Sequence, residues 1–339
     1  MNQLIDNFGR EISYLRVSIT DRCNYRCIYC RPEKSFSFIP HQEILRYEEM
    51  VEIIGEAVKL GISKVRITGG EPLVRKDVLN FVRQLKKIKK LKDISLTTNG
   101  FFLGEYANKL KAAGLNRVNV SLDSLQEERY RKITRGGSLE KVLTGIYTAI
   151  EAGLLPIKIN TVVIKGVNDD EIDDFVKLTL KYPVNVRFIE FMPSTDTLIN
   201  EYENGFISVL KIRDDLIKKY LLEPVKIYTN NGPAKYYQIN GSKSTVGFIT
   251  ALSQHFCESC NRIRLTSDGK IRPCLFSNKE IDIKSEIRNS EKLNISTPYL
   301  RKKLIQEKII EAVKLKPASH QLNTKVKNNI SFQMSKIGG

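Results

Sequence analysis

Ser18-Ile-Thr-Asp-Arg-Cys-Asn-Tyr-Arg-Cys-Ile-Tyr-Cys-Arg-Pro32 is the stretch from which the rest of the chain can be read. It sets Cys23, Cys27 and Cys30 in a C-x3-C-x2-C spacing. Thiolates this close on one loop suit a soft metal or an iron–sulfur cluster. The count of three is informative, because a cube of four irons held by three cysteines keeps one iron open for a small molecule. A structural zinc site would need a fourth ligand. His41 is the nearest histidine, and its spacing from the triplet is poor.

Outward from this loop, the chain alternates strands and helices. Residues 14–20 read as a strand, with Leu15, Val17 and Ile19 on one face and Arg16, Ser18 and Thr20 on the other. A helix over 46–60 carries Met50, Ile53, Ile54, Ala57 and Val58 on one side. Further strands are predicted at 64–68, 94–97, 117–121, 157–161 and 184–191. Helices are predicted at about 77–90, 102–113, 126–133, 138–152 and 169–181. Six such units in order imply an α/β fold with parallel strands, a partial (β/α)6 barrel. Beyond it, strands are predicted over 234–239 and 244–249 and an amphipathic helix over 301–316, while 193–245 as a whole reads as a connection. The organisation expected is a barrel over 1–192 and a C-terminal region over 193–339.

Each of the six strands has one apolar and one polar face. Crossover connections place helices outside, so the polar faces should line a cavity. Arg16, Arg66, Thr97, Asn119, Ser121, Lys158, Asn160 and Arg187 would then project inward. Several cations in a poorly solvated space repel one another unless an anion neutralises them. The expected occupant is therefore anionic, and several phosphates would suit it.

The whole chain has 339 residues and a formal charge of +17. That balance suits a polyanion: nucleic acid, an anionic membrane surface or a nucleoside triphosphate. No helix-turn-helix or RNA-recognition signature is present, and no apolar run approaches a membrane span. Neither nucleic acid nor a membrane is expected as partner. The start lacks a basic segment followed by an apolar one, so the expected compartment is the cytoplasm. The six cysteines fall into two groups of three, which favours metal ligation over disulfides.

The second group is Cys257, Cys260 and Cys274, spaced C-x2-C-x13-C. His255 could complete a zinc site with these three, and spacing alone leaves that open. Arg262 and Arg264 stand two apart on a predicted strand and so share a face, as a guanidinium pair for phosphate would.

Taken together, these motifs carry a resemblance. The first triplet followed by Thr-Gly-Gly-Glu-Pro at 68–72 resembles the radical S-adenosylmethionine (SAM) superfamily. The second triplet, Asn-Arg-x-Arg directly after its first two cysteines, and a terminal Gly-Gly narrow this to the GTP 3′,8-cyclase family of molybdenum cofactor biosynthesis, a lyase family. The match runs from about Tyr14 to Phe276, plus the chain end. Arg31 stands where the family pattern has Met, and 277–300 match poorly.

The resemblance implies two 4Fe–4S clusters, one on Cys23, Cys27 and Cys30 and one on Cys257, Cys260 and Cys274, each with an open iron. It implies SAM at the first, contacted by Tyr29, Gly70, Glu71, Ser121 and Met192. It implies GTP between them, contacted by Arg16, Arg66, Thr97, Lys158, Arg187, Arg262 and Arg264, with guanine at the second cluster. In that family a 5′-deoxyadenosyl radical removes the ribose 3′ hydrogen, and the carbon radical attacks guanine C8. The tail residues Gly338 and Gly339 would support catalysis from within the site. An external one-electron donor of flavodoxin or ferredoxin type and a downstream cyclic pyranopterin monophosphate synthase are the implied partners, with a monomer or a homodimer both open. The rival enzyme reading is a radical SAM protein that modifies RNA or a peptide. The non-enzyme readings are an electron carrier or a zinc-stabilised nucleic-acid binder.

Overall fold

A computed structural model describes residues 4–31, 37–192, 204–225, 232–292, 297–320 and 334–338 of the chain. The first half runs β1 (Tyr14–Ser18), α1 (Tyr47–Lys59), β2 (Lys64–Thr68), α2 (Val78–Lys86), β3 (Asp93–Thr98), α3 (Leu103–Ala113), β4 (Arg117–Ser121), α4 (Glu127–Thr134), α5 (Leu139–Glu151), β5 (Ile157–Val163), α6 (Ile172–Lys181) and β6 (Val184–Glu190). All six expected βα strands are present, and they pair in parallel in chain order. The helix expected over 169–181 starts later, at Ile172. The Glu171 carboxylate before it accepts from Ser124 Oγ (2.7 Å) and Leu125 N (2.6 Å), and so belongs to the strand-end loop.

The second half adds α7 (Val209–Tyr220), β7 (Glu223–Val225), β8 (Lys235–Gln238), β9 (Val246–Ile249), β10 (Arg262–Leu265), β11 (Lys270–Arg272), β12 (Ile281–Asp282), α8 (Lys284–Lys292), α9 (Pro298–Lys314) and α10 (Met334–Ile337). Helix α7 lies inside the stretch read from sequence as a connection. It is capped by Ser208, whose side chain accepts from Leu210 N, and it buries Val209, Ile212 and Leu216.

The C-terminal residues do not build a separate sheet. The strand order is β12-β11-β10-β1-β2-β3-β4-β5-β6-β9-β8-β7. Strand β10 pairs in parallel with β1, and β9 in parallel with β6, so later chain extends the barrel wall at both edges. The short outer strands pair antiparallel.

The outward strand faces are apolar and buried against the helices. Leu15, Val17, Val65, Ile67, Leu96, Val118 and Val120 share one cluster with Ile54, Phe81, Leu110, Val142 and Phe175 from the helical shell. Full burial of each such side chain stabilises the fold by roughly 1.5–3 kcal/mol. Helices α3 and α5 cross very closely, because a Cβ at Gly145 would stand 2.9 Å from both Gly100 O and Leu103 Cβ. Helix α9 lies on α1, with Arg301 Nη2 2.6 Å from Glu52 Oε2 and Gln306 Nε2 donating to Glu56 Oε2 at 2.7 Å. No described helix is long and apolar enough to cross a membrane.

Candidate functional site

The inward strand faces enclose a cavity of about 290 Å³. Cys23, Cys27 and Cys30 line it, and so do Phe256, Arg262 and Leu275, chain neighbours of the second triplet. The sequence-predicted cations Arg16, Arg66, Lys158, Arg187, Arg262 and Arg264 all line it, as does Thr97. Asn160, Ser121 and Met192 line it too. Asn119 also faces inward but is covered, accepting from Arg187 Nη2 (3.2 Å) and donating to Thr97 Oγ1 (3.3 Å).

The first cysteine loop is held by its backbone. Cys30 N and Arg31 N both donate to Cys27 O (3.0 and 3.1 Å), which tightens the last turn. Arg26 N and Ile28 N donate to Thr134 O (3.1 Å) and Ile133 O (2.9 Å), which docks the loop on the end of α4. The glycine segment lies against the same loop: Gly70 N donates to Thr20 O (2.7 Å) and Glu71 N to Arg22 O (2.8 Å). A Cβ at Gly69 would stand 2.5 Å from Thr20 O, and one at Gly70 2.6 Å from Arg22 C. Glycine is required at both positions by this backbone-to-backbone approach, and both still face the cavity.

Glu71 lies behind that wall. Its Oε1 accepts from Leu73 N (3.0 Å) and Thr98 Oγ1 (2.8 Å), and its Oε2 from Asn99 N (2.6 Å). Burial raises its carboxyl to about 7. Tyr29 Oη donates to Asp123 Oδ2 at 2.6 Å, while Asp123 Oδ1 accepts from Val162 N at 2.9 Å. Asp123 thus orients the Tyr29 ring over the cavity, and burial raises its carboxyl to about 6.

Burial pushes the Cys23 thiol up to about 12, with the Glu71 carboxylate adding to the effect. Cys27 and Cys30 are also raised, first by burial and then by nearby negative groups, including Asp123. Ionised thiolates at this place need a positive centre, which a bound cluster supplies. A tetrahedral zinc would bring its sulfurs to about 3.8 Å from one another. Among the described residues, the only set of three potential ligands whose donor atoms all lie within 4.8 Å of one another is His255, Cys257 and His320.

In the second triplet, Cys260 N donates to Cys257 O (3.1 Å). Burial would push the Cys260 thiol up, but the Arg262 guanidinium and the Lys316 ammonium outweigh it and bring it to about 6. His320 is buried against His255, with ring centroids 4.0 Å apart, and burial lowers it to about 4.

Register explains the concentration of charge in the cavity. Arg16 lies beside Arg264 on β10 and beside Arg66 on β2, so three arginines form one row across three strands. Arg66 is brought to about 10 by burial and then by Arg187 and Arg117, against the effect of Tyr14. Lys158 is brought to about 5 by burial, then by Arg187, Arg117 and Arg66. Among the described residues no hydrogen bond or ion pair reaches its ammonium, which sits 5.5 Å from the centre of the Tyr236 ring. The cavity is built to receive negative charge.

The chain end enters this row. Gly338 O accepts from Arg16 Nε (3.2 Å) and from Arg264 Nη1, and Ile337 O from Arg264 Nη1 (3.4 Å). Met334 lines the cavity. Gly339 lies outside the described residues.

Several lining residues escaped the sequence reading. Tyr14, Lys64 and Arg117 open their strands and share the parity of Arg16, Arg66 and Asn119, so extending the alternation by one step would have found them. Tyr236 and Pro233 come from the antiparallel edge and carried no signal.

Two family models match the chain: the radical SAM superfamily over residues 17–179 and molybdenum cofactor synthesis C over residues 184–322. The curated GTP 3′,8-cyclase of Petrotoga mobilis is 49% identical, over 99% of this chain and 100% of that protein. The GTP 3′,8-cyclases of Heliobacterium modesticaldum and Listeria monocytogenes are 45% and 44% identical, over 99% and 100% of this chain and 100% of each relative. Among solved structures, Streptococcus suis SuiB bound to S-adenosylmethionine matches with a TM-score of 0.57 at 15% identity, over 85% of this chain and 67% of that one. Native anSMEcpe with bound AdoMet matches with a TM-score of 0.52 at 14% identity, over 95% and 93%. These two share the fold.

Proposed function

The chain belongs to the GTP 3′,8-cyclase family of the radical SAM superfamily, and we propose that it joins the ribose 3′ carbon of GTP to guanine C8 in the cavity lined by the first cysteine triplet and by chain neighbours of the second. The product is 3′,8-cyclo-7,8-dihydro-GTP, made at the first step of molybdenum cofactor biosynthesis. The observation that carries this reading is the row Arg264–Arg16–Arg66, which lines the same cavity as Lys158, Arg187 and the first cysteine triplet.

Cys23, Cys27 and Cys30 would hold one 4Fe–4S cluster, and Cys257, Cys260 and Cys274 a second. Tyr29, Gly70, Ser121 and Met192 line the cavity and would surround SAM, with Glu71 behind them bracing the glycine segment. Bound and reduced, the first cluster with SAM supplies a 5′-deoxyadenosyl radical able to take the ribose 3′ hydrogen. The protein's own contribution is placement. Arg16, Arg66, Lys158, Arg187, Arg262 and Arg264 neutralise the triphosphate and fix its direction, with Thr97 beside them. The Gly338 carbonyl holds the Arg16 and Arg264 guanidiniums in place. The buried strand faces exclude water, which would otherwise screen these charges. A flavodoxin- or ferredoxin-like protein would donate the electron, and a cyclic pyranopterin monophosphate synthase would take the product, all in the cytoplasm.

Anaerobic incubation of the reduced protein with SAM and GTP is expected to give cyclised nucleotide and 5′-deoxyadenosine together. Deoxyadenosine formed with no change in GTP would reject the reading.

The cations also make GTP binding depend on pH. Unliganded, Lys158 stays neutral above about 5. A triphosphate beside it stabilises the ammonium and raises its pKa. Between the free and bound values GTP binding takes up a proton, so affinity falls as pH rises, by up to about tenfold per pH unit. Calorimetry in buffers of different ionisation enthalpy should detect about one proton taken up at neutral pH. Lys158→Met should lose that uptake; the same uptake in the variant would assign the proton elsewhere.

A further inference from the structure

We propose that Lys316 is a positioning residue for the second cluster, joining Cys260 and the chain on either side of the C-x13-C gap into one ligand set and supplying the positive charge beside it. The proposal rests on the reading that this triplet holds a cluster.

Lys316 follows the last turn of α9, with its backbone N donating to Val313 O (3.1 Å), and is 3% exposed. An ammonium has three donors. Here they meet three acceptors: Cys260 Sγ at 3.5 Å, Arg262 O at 2.7 Å and Pro273 O at 2.9 Å. Arg262 lies just past Cys260, and Pro273 just before Cys274. One nitrogen therefore ties together two pieces of chain that the sequence separates. Lys316 makes no ion pair with a carboxylate among the described residues.

The next residues extend the same clasp. Pro317 O and Ala318 O accept from Arg10 Nη2 (2.6 Å) and Nη1 (3.0 Å). Arg10 Nη1 also donates to Cys257 O (2.8 Å), and its Nε is held by Asp6 Oδ2 (2.6 Å). The short segment after α9 thus reaches Cys260 and the residue before Cys274 through Lys316, and Cys257 through Arg10.

A donor and a positive charge at a ligating sulfur stabilise the reduced cluster, so they raise its potential. Lys316→Met keeps the stem and removes both. The test uses full-length protein reconstituted without oxygen, with iron analysis, electron paramagnetic resonance and a redox titration of each centre. In Lys316→Met the second centre is expected at a more negative potential or lost, while the first centre keeps its potential and its SAM cleavage. Should that variant not fold, Lys316→Gln, which keeps two donors and no charge, reads the same potential with a smaller shift. A folded variant of either kind with both centres at wild-type potential overturns the role of Lys316. Wild-type protein with iron for one cluster only overturns the two-cluster reading instead, and the two failures are told apart before any variant is made.

Discussion

Replacing Gly338 with alanine is expected to lower cyclisation about 100-fold or more, while both clusters and SAM cleavage survive. Gly338 has φ +70°, a conformation that costs an L-residue, and a Cβ there would overlap Thr68 Oγ1 and stand 3.1 Å from Thr68 Cβ. Thr68 is buried in the wall of the cavity, so it cannot give way. The tail must leave, and Arg16 and Arg264 then lose the carbonyl that orients them. Both side chains stay charged but gain freedom to turn, so the triphosphate is bound in more than one pose. The hydrogen to be removed is no longer held at one place. Deleting Gly338 and Gly339 should act in the same way. Deoxyadenosine released without cyclised product is the signature to measure. Wild-type product yield in Gly338→Ala would mean that the tail is only a packed end.

The second large effect separates the two triplets. Cys27→Ala should abolish SAM cleavage altogether and halve the bound iron. Cys27 is the centre of its loop, since its carbonyl receives both Cys30 N and Arg31 N. Two remaining thiolates do not hold a cube that already lacks its fourth protein ligand. Cys257→Ala should do the reverse, leaving reductive SAM cleavage in place while cyclisation stops. His255 and His320 offer Cys257 a different partnership, a single ion held by two imidazoles and one thiolate. Zinc in amount equal to the chain, with iron for one cluster, would establish that arrangement and exclude the second cube.

Much of this was legible in the chain. The two cysteine spacings, the six alternating strands and the inward parity of Arg16, Arg66, Lys158 and Arg187 are local patterns. Each reports which face a residue takes, and the structure puts those four in one cavity. Where reading stopped short, it was at a strand's first residue, as with Tyr14, Lys64 and Arg117, or in a region without clear periodicity, as with α7. Glu71 shows a different limit. The segment 68–72 marks the site, but only the fold brings Thr98 and Asn99 to its carboxylate behind the wall.

By itself, then, the amino-acid order determined the set of chemical groups, the barrel that carries them and the direction each side chain takes. Tertiary structure alone decided who meets whom. Gly338 reaches Arg16 across 322 positions, Arg10 reaches Cys257 across 247, and Lys316 reaches Cys260 across 56. Periodicity has no reach of that kind: it records a residue's face within its own element. Such partners are set by the pairing of β10 with β1 and by the seat of α9 on α1, which follow from burying apolar area over the whole molecule.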